Sequence, residues 1–394
     1  MRLVLYICLL WLSTSGLCKD HNTTYTADCS RSHYRRLAAT NVDFAFNLYQ
    51  QLAALNPDEN VLISPVGISI ALAMLSLGPW GHTQPQLLQG MGFNLTETPE
   101  AEVHQDFQHL FHLLKHSDTG LEMKIHNTIF SDQKINLHES FKENIKYNYT
   151  SEFSNIPFKK WIKDAQPAKS ETQGGSAQMS SNLDSSATLV LLNDNVLKGM
   201  WELPFNPENT KKKDFYVLEK HTATVPMMVQ SSNIGYLDDS EIPCEVVKMK
   251  SVGNGTTFLI LPKKGQMNTV TAALHRDTID RWDRLLTTRQ VTLYVPKFSM
   301  SSNYDLKDVL AGKGIEALVT NQSDSGISGT STVVHKTTLH VDESSALPVA
   351  TKGVPLPTTS EPPVTIMFNR PFIVVMFDDC TWNSMVMSRI MNPT

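Results

Sequence analysis

Phe368-Asn369-Arg370-Pro371-Phe372, running into the apolar stretch Ile373-Val374-Val375-Met376-Phe377 and closing at Asn392-Pro393-Thr394, is the segment whose reading decides the fold. Some thirty residues earlier stands Asp342-Glu343-Ser344-Ser345, and the stretch between is rich in Pro, Thr and Ser with no hydrophobic period. The order is therefore a strand, a long exposed loop, a short aromatic motif and terminal strands. Upstream, Thr188-Leu189-Val190-Leu191-Leu192 is a continuous apolar run, as a central strand covered on both faces requires. Thr257 to Leu261, Val291 to Val295 and Phe372 to Phe377 repeat the signal, and Asn254-Gly255 sets a tight turn before the first of these.

The first half of the chain has the helical period instead. Val42, Phe46 and Tyr49 share one face, with Asn41 placed to cap them. Ser64-Pro65 opens a helix from Val66 to Leu77 that is apolar nearly all round and so predicts full burial. Thr83 to Met91 and Glu100 to Lys115 read as amphipathic helices, and one late helix spans Asn268 to Leu286. Lys211-Lys212-Lys213, after an Asn-Pro turn, reads as a solvated turn.

At the N-terminus Arg2 precedes an apolar run, Leu3 to Leu12, followed by Ser13-Thr14-Ser15-Gly16. The run is too short to cross a bilayer and reads as a cleaved secretory signal over residues 1–17. Sequons at Asn22, Asn94, Asn148, Asn254 and Asn321 then predict a secreted glycoprotein. Cys8 leaves with the signal and Cys18 stands at its cut; Cys29, Cys244 and Cys380 beyond it are too odd and sparse a set for a disulfide framework, and Cys244 and Cys380 read as free buried thiols. No linker divides residues 18–394, which read as a single domain. A net charge of -5 with mixed signs indicates neither nucleic-acid binding nor membrane insertion, and the chain reads as a monomer. Gly-x-Ser-x-Gly, His-Glu-x-x-His, Cys-x-x-Cys and phosphate-loop motifs are all missing, which excludes the common enzyme classes, and no cofactor is expected. His112 and His116 have i, i+4 spacing but no accompanying carboxylate motif, so a solvated helix face is read there and no metal site.

The ordered landmarks identify a family. Ser64-Pro65 with its helix, Lys198-Gly199-Met200-Trp201, Val225-Pro226-Met227-Met228, Leu293-Tyr294-Val295-Pro296-Lys297-Phe298 and Phe368 to Phe372 resemble those of the serpins, in serpin order, over about residues 40–394. The resemblance implies an α+β fold with large mixed sheets, about eight or nine helices and an exposed reactive-centre loop over about residues 342–363. Leu87 to Glu97, Met267-Asn268-Thr269-Val270, Arg276-Asp277-Thr278-Ile279 and Arg281-Trp282 are similar to the steroid carriers of that family. One segment departs: where serpins lay a helix across the main sheet, Pro167 and Gly174-Gly175 interrupt the helical pattern.

An inhibitory serpin inserts its cut loop as a strand of the main sheet, and its hinge carries Gly and small residues. Here the hinge reads Glu343-Ser344-Ser345-Ala346-Leu347-Pro348-Val349-Ala350. Pro348 has no N–H to give to a ladder, which costs on the order of 3 kcal/mol. The chain is therefore expected to be non-inhibitory, the alternative being an inhibitor of an extracellular serine protease, or a serpin without a ligand. Val354 precedes Pro355, so extracellular proteases are expected to cut nearer Val349-Ala350.

A steroid is a rigid apolar plate with polar ends, so a greasy slot with few polar groups suffices to hold it. The resemblance places Trp382 flat on such a ligand, with Phe377 on the same wall. Arg276 matches an Arg of the carriers, whereas Asp280, Lys248 and Asp379 stand where Asn, Gln and His are usual. Because an unpaired charge in a dry slot is costly, Lys248 is expected to pair with Asp280 or Asp379. Cys244 is expected close to the slot as an apolar filler. The implied ligands are glucocorticoids, with progestins as further candidates, and cutting of the loop is implied to release them.

Overall fold

The computed structural model describes residues 33–78, 84–116, 121–133, 135, 137–158, 187–199, 201–218, 221–251, 254–315, 330–344 and 362–394. Among these the chain forms helices α1 (His33–Leu55), α2 (Pro65–Leu75), α3 (Gln84–Gly90), α4 (Glu100–His116) and α5 (Glu139–Tyr149) in its first half. Strands β1 (Val61–Ile63), β2 (Leu121–Asp132) and β3 (Glu152–Ile156) are interleaved with them. The second half holds β4 (Ala187–Gly199), β5 (Lys211–Leu218), β6 (His221–Asp239), β7 (Cys244–Lys250) and β8 (Gly255–Pro262). Helices α6 (Met267–Ala273) and α7 (Arg276–Leu285) follow, then β9 (Thr287–Pro296), β10 (Phe298–Asp305), α8 (Lys307–Ala311) and β11 (Thr330–Val341). Last come β12 (Val364–Met367), β13 (Phe372–Asp378) and β14 (Ser384–Ile390).

Two sheets result. The larger runs β1-β14-β13-β8-β7-β6-β9-β12, with β5 also on β6; the smaller runs β10-β11-β4-β2-β3. Every residue of β8, β13 and β14 is buried, as the apolar runs required, and so is every residue of α2, which packs on β14.

The Phe368–Phe372 motif ties these parts together. Phe372 is fully buried and meets the rings of Phe368, Phe298 and Phe215 edge-on at 5.3, 6.2 and 6.3 Å, the arrangement that suits the ring quadrupole. The Asn369 carbonyl accepts from the Tyr216 N–H at 2.8 Å, and Arg370 Nε donates to the Pro262 carbonyl at 3.1 Å. Arg389, 1% exposed, donates to the carbonyls of Ala53 and Asn56 and, at 3.2 Å, Glu59, satisfying carbonyls at and just beyond the end of α1.

Several local expectations differ. Asn41 does not cap a helix; it lies inside the longer α1, and its buried Nδ2 donates to Asn383 Oδ1 at 3.0 Å. Ser64 precedes Pro65 at the start of α2, but its backbone N–H donates to His335 Nε2 at 3.1 Å and its hydroxyl caps nothing. The late helix is two helices, because Leu274 turns to an extended ψ and the His275 side chain accepts from the Thr278 N–H to start α7. Lys211, Lys212 and Lys213 begin β5, paired with Met227 to Val225, and Lys213 lies 5.1 Å over the Tyr294 ring. Cys244 is a free buried thiol, pushed up to about 12 by burial, whereas Cys380 is disulfide-bonded. Cys380 sits in a turn outside the ladder, and a sparse, odd cysteine set has no spacing from which that pairing is legible. The segment around Pro167 lies outside the described residues.

Of the expected hinge, Glu343 and Ser344 are among the described residues. Lys297 bonds Glu343 at 2.7 Å and Thr210 donates to Glu343 at 2.8 Å. Burial works to raise the Glu343 carboxyl, and these bonds hold it below its ordinary value. Trp201 Nε1 donates to the Asp342 carbonyl at 2.8 Å and Lys198 lies 3.3 Å from the Asp342 carboxylate. Strands β4 and β11 pair directly in parallel through His340–Lys198, so no strand lies between them there. Pro348, Val349, Ala350 and Val354 lie outside the described residues.

Candidate functional site

A cavity of about 370 Å³ opens between α1, α7, strands β7 and β8, and the turn joining β13 to β14. Lys248, Arg276, Asp280, Phe377, Asp379 and Trp382, the residues singled out in the sequence, all line it. Its floor is Phe258 and Phe377, whose rings meet at 90° and 6.1 Å. Ala38, Ala39 and Val42 face them from α1, and small side chains there leave the slot its width.

Trp382 forms the mouth. It is 47% exposed and has φ +55°, in the left-handed region that side chains other than Gly rarely adopt. The turn holds it there by hydrogen bonds on every side. The Trp382 N–H donates to the Asp378 carbonyl at 2.7 Å, and the Asp378 N–H to the Asn383 carbonyl at 3.1 Å. The buried Asp378 carboxylate accepts the Thr381 N–H at 2.7 Å, while Asn383 Nδ2 donates to the Thr381 carbonyl at 3.0 Å. Asn41 of α1 then grips Asn383. A left-handed tryptophan so over-determined by its surroundings is the kind of local strain that collects at ligand sites.

Lys248, Asp379 and Arg276 are each neutralised, but not in the expected pairs. Lys248 bonds Asp283, one turn beyond Asp280, and Asp379 bonds Lys250. The geometry explains the shift. Lys248 and Lys250 alternate onto the same side of β7; Asp283 of α7 meets the first. The Asp379 N–H donates to the Asn254 carbonyl at 2.6 Å, which sets its carboxylate beside Lys250, opposite Thr256 in the ladder. Lys248 also lies 5.8 Å from the Phe258 centroid, a cation–π contact within the slot. Arg276 reaches Asp43 at 3.5 Å on the surface, and Asp280 is exposed at the rim, with no cation in salt-bridge reach among the described residues. Cys244 does not line the slot; it lies buried four residues before Lys248 on β7, opposite Pro262.

Asp283, Ile279 and Phe258 escaped the sequence reading. Helical arithmetic from Arg276 gives positions 279, 280 and 283 on one face, so the first two were legible; Phe258 required the ladder that sets it opposite Lys248.

What holds α7 against the sheet is Asp239. Its carboxylate accepts from Arg281, from Trp282 Nε1 at 2.7 Å and from the Glu241 N–H at 2.9 Å. Burial works to raise this carboxyl, but the hydrogen bonds from Arg281, Trp282 and the backbone outweigh it and keep it below its ordinary value.

Of the sequons, Asn94 is exposed and its Oδ1 accepts from Thr96 Oγ1 at 2.7 Å, Asn148 stands in the last turn of α5, and Asn254 touches the slot rim through Asp379; Asn22 and Asn321 lie outside the described residues. No helix among the described residues is long and apolar enough to cross a membrane.

Comparison with known proteins places this architecture. The chain is 56% identical to corticosteroid-binding globulin of Rattus norvegicus and 50% identical to that of Homo sapiens, each match covering 100% of both chains. Among solved structures, human thyroxine-binding globulin superposes with a TM-score of 0.81 at 31% identity, over 92% of this chain and 100% of that one. Human glycosylated kallistatin superposes at 0.79 with 33% identity, over 92% of this chain and 100% of that one. The profile of the family described as Serpin (serine protease inhibitor) matches residues 39–393, and the chain belongs to that family.

Proposed function

We propose that this chain is a secreted, non-inhibitory serpin that binds and carries steroid hormone, glucocorticoids first and progestins as further candidates. The observation that carries the reading is the slot itself: an indole held in a strained conformation at the mouth, two phenylalanine rings as floor, and ionic groups paired at the edges. Such a cavity offers a rigid apolar plate a large face and a few orienting donors, at little cost in ligand entropy. The relatives named as corticosteroid-binding globulins support the ligand class, and the thyroxine-binding structure supports hormone carriage as its role. Cortisol titrated into the purified protein is expected to quench tryptophan fluorescence and saturate at one steroid per chain; a flat titration overturns the reading.

Lys248→Ala removes from the slot both a donor and the cation–π contact on Phe258. Cortisol affinity is expected to fall at least tenfold, about 1.4 kcal/mol, in equilibrium dialysis. Lys250→Ala, whose ion pair is more exposed, is expected to cost less.

The loop serves in this reading as a cleavage target for extracellular serine proteases, whose cut modulates steroid release. Pro348 limits how far the cut loop joins the sheet. Incubation with elastase or trypsin is accordingly expected to yield a cut chain and no covalent complex on a denaturing gel; a stoichiometric complex overturns the non-inhibitory reading in favour of an inhibitor.

A further inference from the structure

A second cavity of about 320 Å³ adjoins the slot and shares Lys248 and Asp283 with it. Its origin is a fork in the sheet. Strand β6 pairs with β7 only from Gly235 to Asp239, then continues along β9 as far as Met227, while β7 follows β8 to Lys250. Before Gly235 the two strands part, and Gln230 and Asn233 of β6 come to line the opening. Gly235 keeps the apex of the fork tight: a Cβ there would lie 3.2 Å from that of Lys248.

The second cavity differs in character from the first. Gln230 Nε2 and Asn233 Oδ1 are buried without a hydrogen-bond partner among the described residues, a deficit that a bound polar group would remove. Lys248 and Lys250 line it opposite Glu202 and Asp283; the Lys250 ammonium is engaged by Asp379 and Thr256, so Lys248 is the cation it offers. Gln230 Nε2 lacks an acceptor and the Lys248 ammonium can donate, so the group that suits that end carries acceptor oxygens, while Asn233 Oδ1 calls for a donor such as a hydroxyl. The partition is weak. The side chains of Lys248 and Asp283 are 25% and 35% exposed, so solvent reaches the pair and it is held together only weakly. A substituent can displace it without leaving a dry charge behind.

We infer that the slot continues past the Lys248–Asp283 pair into a polar annex, so that the chain accepts steroids carrying an acceptor-rich substituent, such as an acid ester or a sulfate, at the end that meets Lys248. This rests on the steroid reading of the slot. The test is competition against radiolabelled cortisol by two probes, cortisol 21-hemisuccinate and cortisol 3-(O-carboxymethyl)oxime, which carry a carboxylate at opposite ends and so cover both orientations. Each is measured on the wild-type chain and on Thr288→Trp, which fills the annex from β9; Leu203→Trp fills it from another segment should the first variant not fold. The expected result is that one conjugate loses at least tenfold in affinity on filling the annex while cortisol itself is unchanged. Conjugates that ignore the substitution, or fail to compete with either protein while cortisol binds, overturn the annex alone; absence of cortisol binding to the wild type overturns the steroid reading and the annex with it.

Discussion

Trp382→Ala is expected to lower cortisol affinity about 100-fold, some 2.7 kcal/mol, while leaving the fold intact. The indole is nearly half exposed in the free protein, so the empty slot loses little packing when it is removed. A ligand seated in the slot would cover that face, and with it goes the broad apolar surface that a steroid plate needs. The backbone sharpens the experiment. At φ +55° the residue carries roughly 1 kcal/mol of left-handed cost, which Gly escapes although it gives some of that back in unfolded-chain entropy. Trp382→Gly is therefore expected to match or slightly exceed the wild type in unfolding midpoint, within about 1 kcal/mol, and still to lose cortisol. Stability retained together with affinity lost would mark Trp382 as a residue kept for the ligand. Affinity retained in Trp382→Ala would mean that the steroid, if bound, sits elsewhere.

How much of this was legible beforehand depended on whether the signal was local. The buried strands β8 and β13 and the buried helix α2 show in the sequence because burial on all sides leaves an unbroken apolar run. The slot residues Trp382, Phe377, Lys248 and Arg276 were found through a family resemblance, since nothing in their own neighbourhoods distinguishes them from core or surface. Ion-pair partners were not legible. Asp280 and Asp283 stand three apart on one helical face, and only the depth at which α7 crosses β7 decides which of them meets Lys248. The break between α6 and α7 leaves no local signal, because it comes from a histidine cap at position 275, a weak capping residue type with no Gly or Pro beside it. Asn41 illustrates the opposite error. Its residue type favours helix starts, whereas its amide serves a turn more than 300 residues away in sequence.

Asp239→Ala is expected to destabilise the protein by about 3 kcal/mol and to weaken steroid binding as well, although residue 239 does not line the slot. The carboxylate is almost wholly buried and is the shared acceptor for Arg281 and the fully buried Trp282. Removing it leaves a buried indole N–H without its acceptor and the part-buried Arg281 with only the exposed Glu241 at 3.2 Å, the situation in which loss of one partner costs most. Those two donors are on α7, the helix that also carries Arg276, Asp280 and Asp283 to the slot. A loosened α7 misplaces all three, so affinity is expected to fall with stability; in Trp382→Gly the two separate. The pH dependence has a definite sign. Because the folded carboxyl is held below the ordinary aspartate value of 3.8, its contribution is fully present above that pH and is lost as pH falls through the folded value. Denaturant unfolding of the wild type followed from pH 6 to pH 3 is expected to show this loss at the acid end. The difference between wild type and Asp239→Ala is expected to narrow over the same interval, and a difference that stays constant to pH 3 or below would show that the carboxylate's charge is not what holds α7 in place.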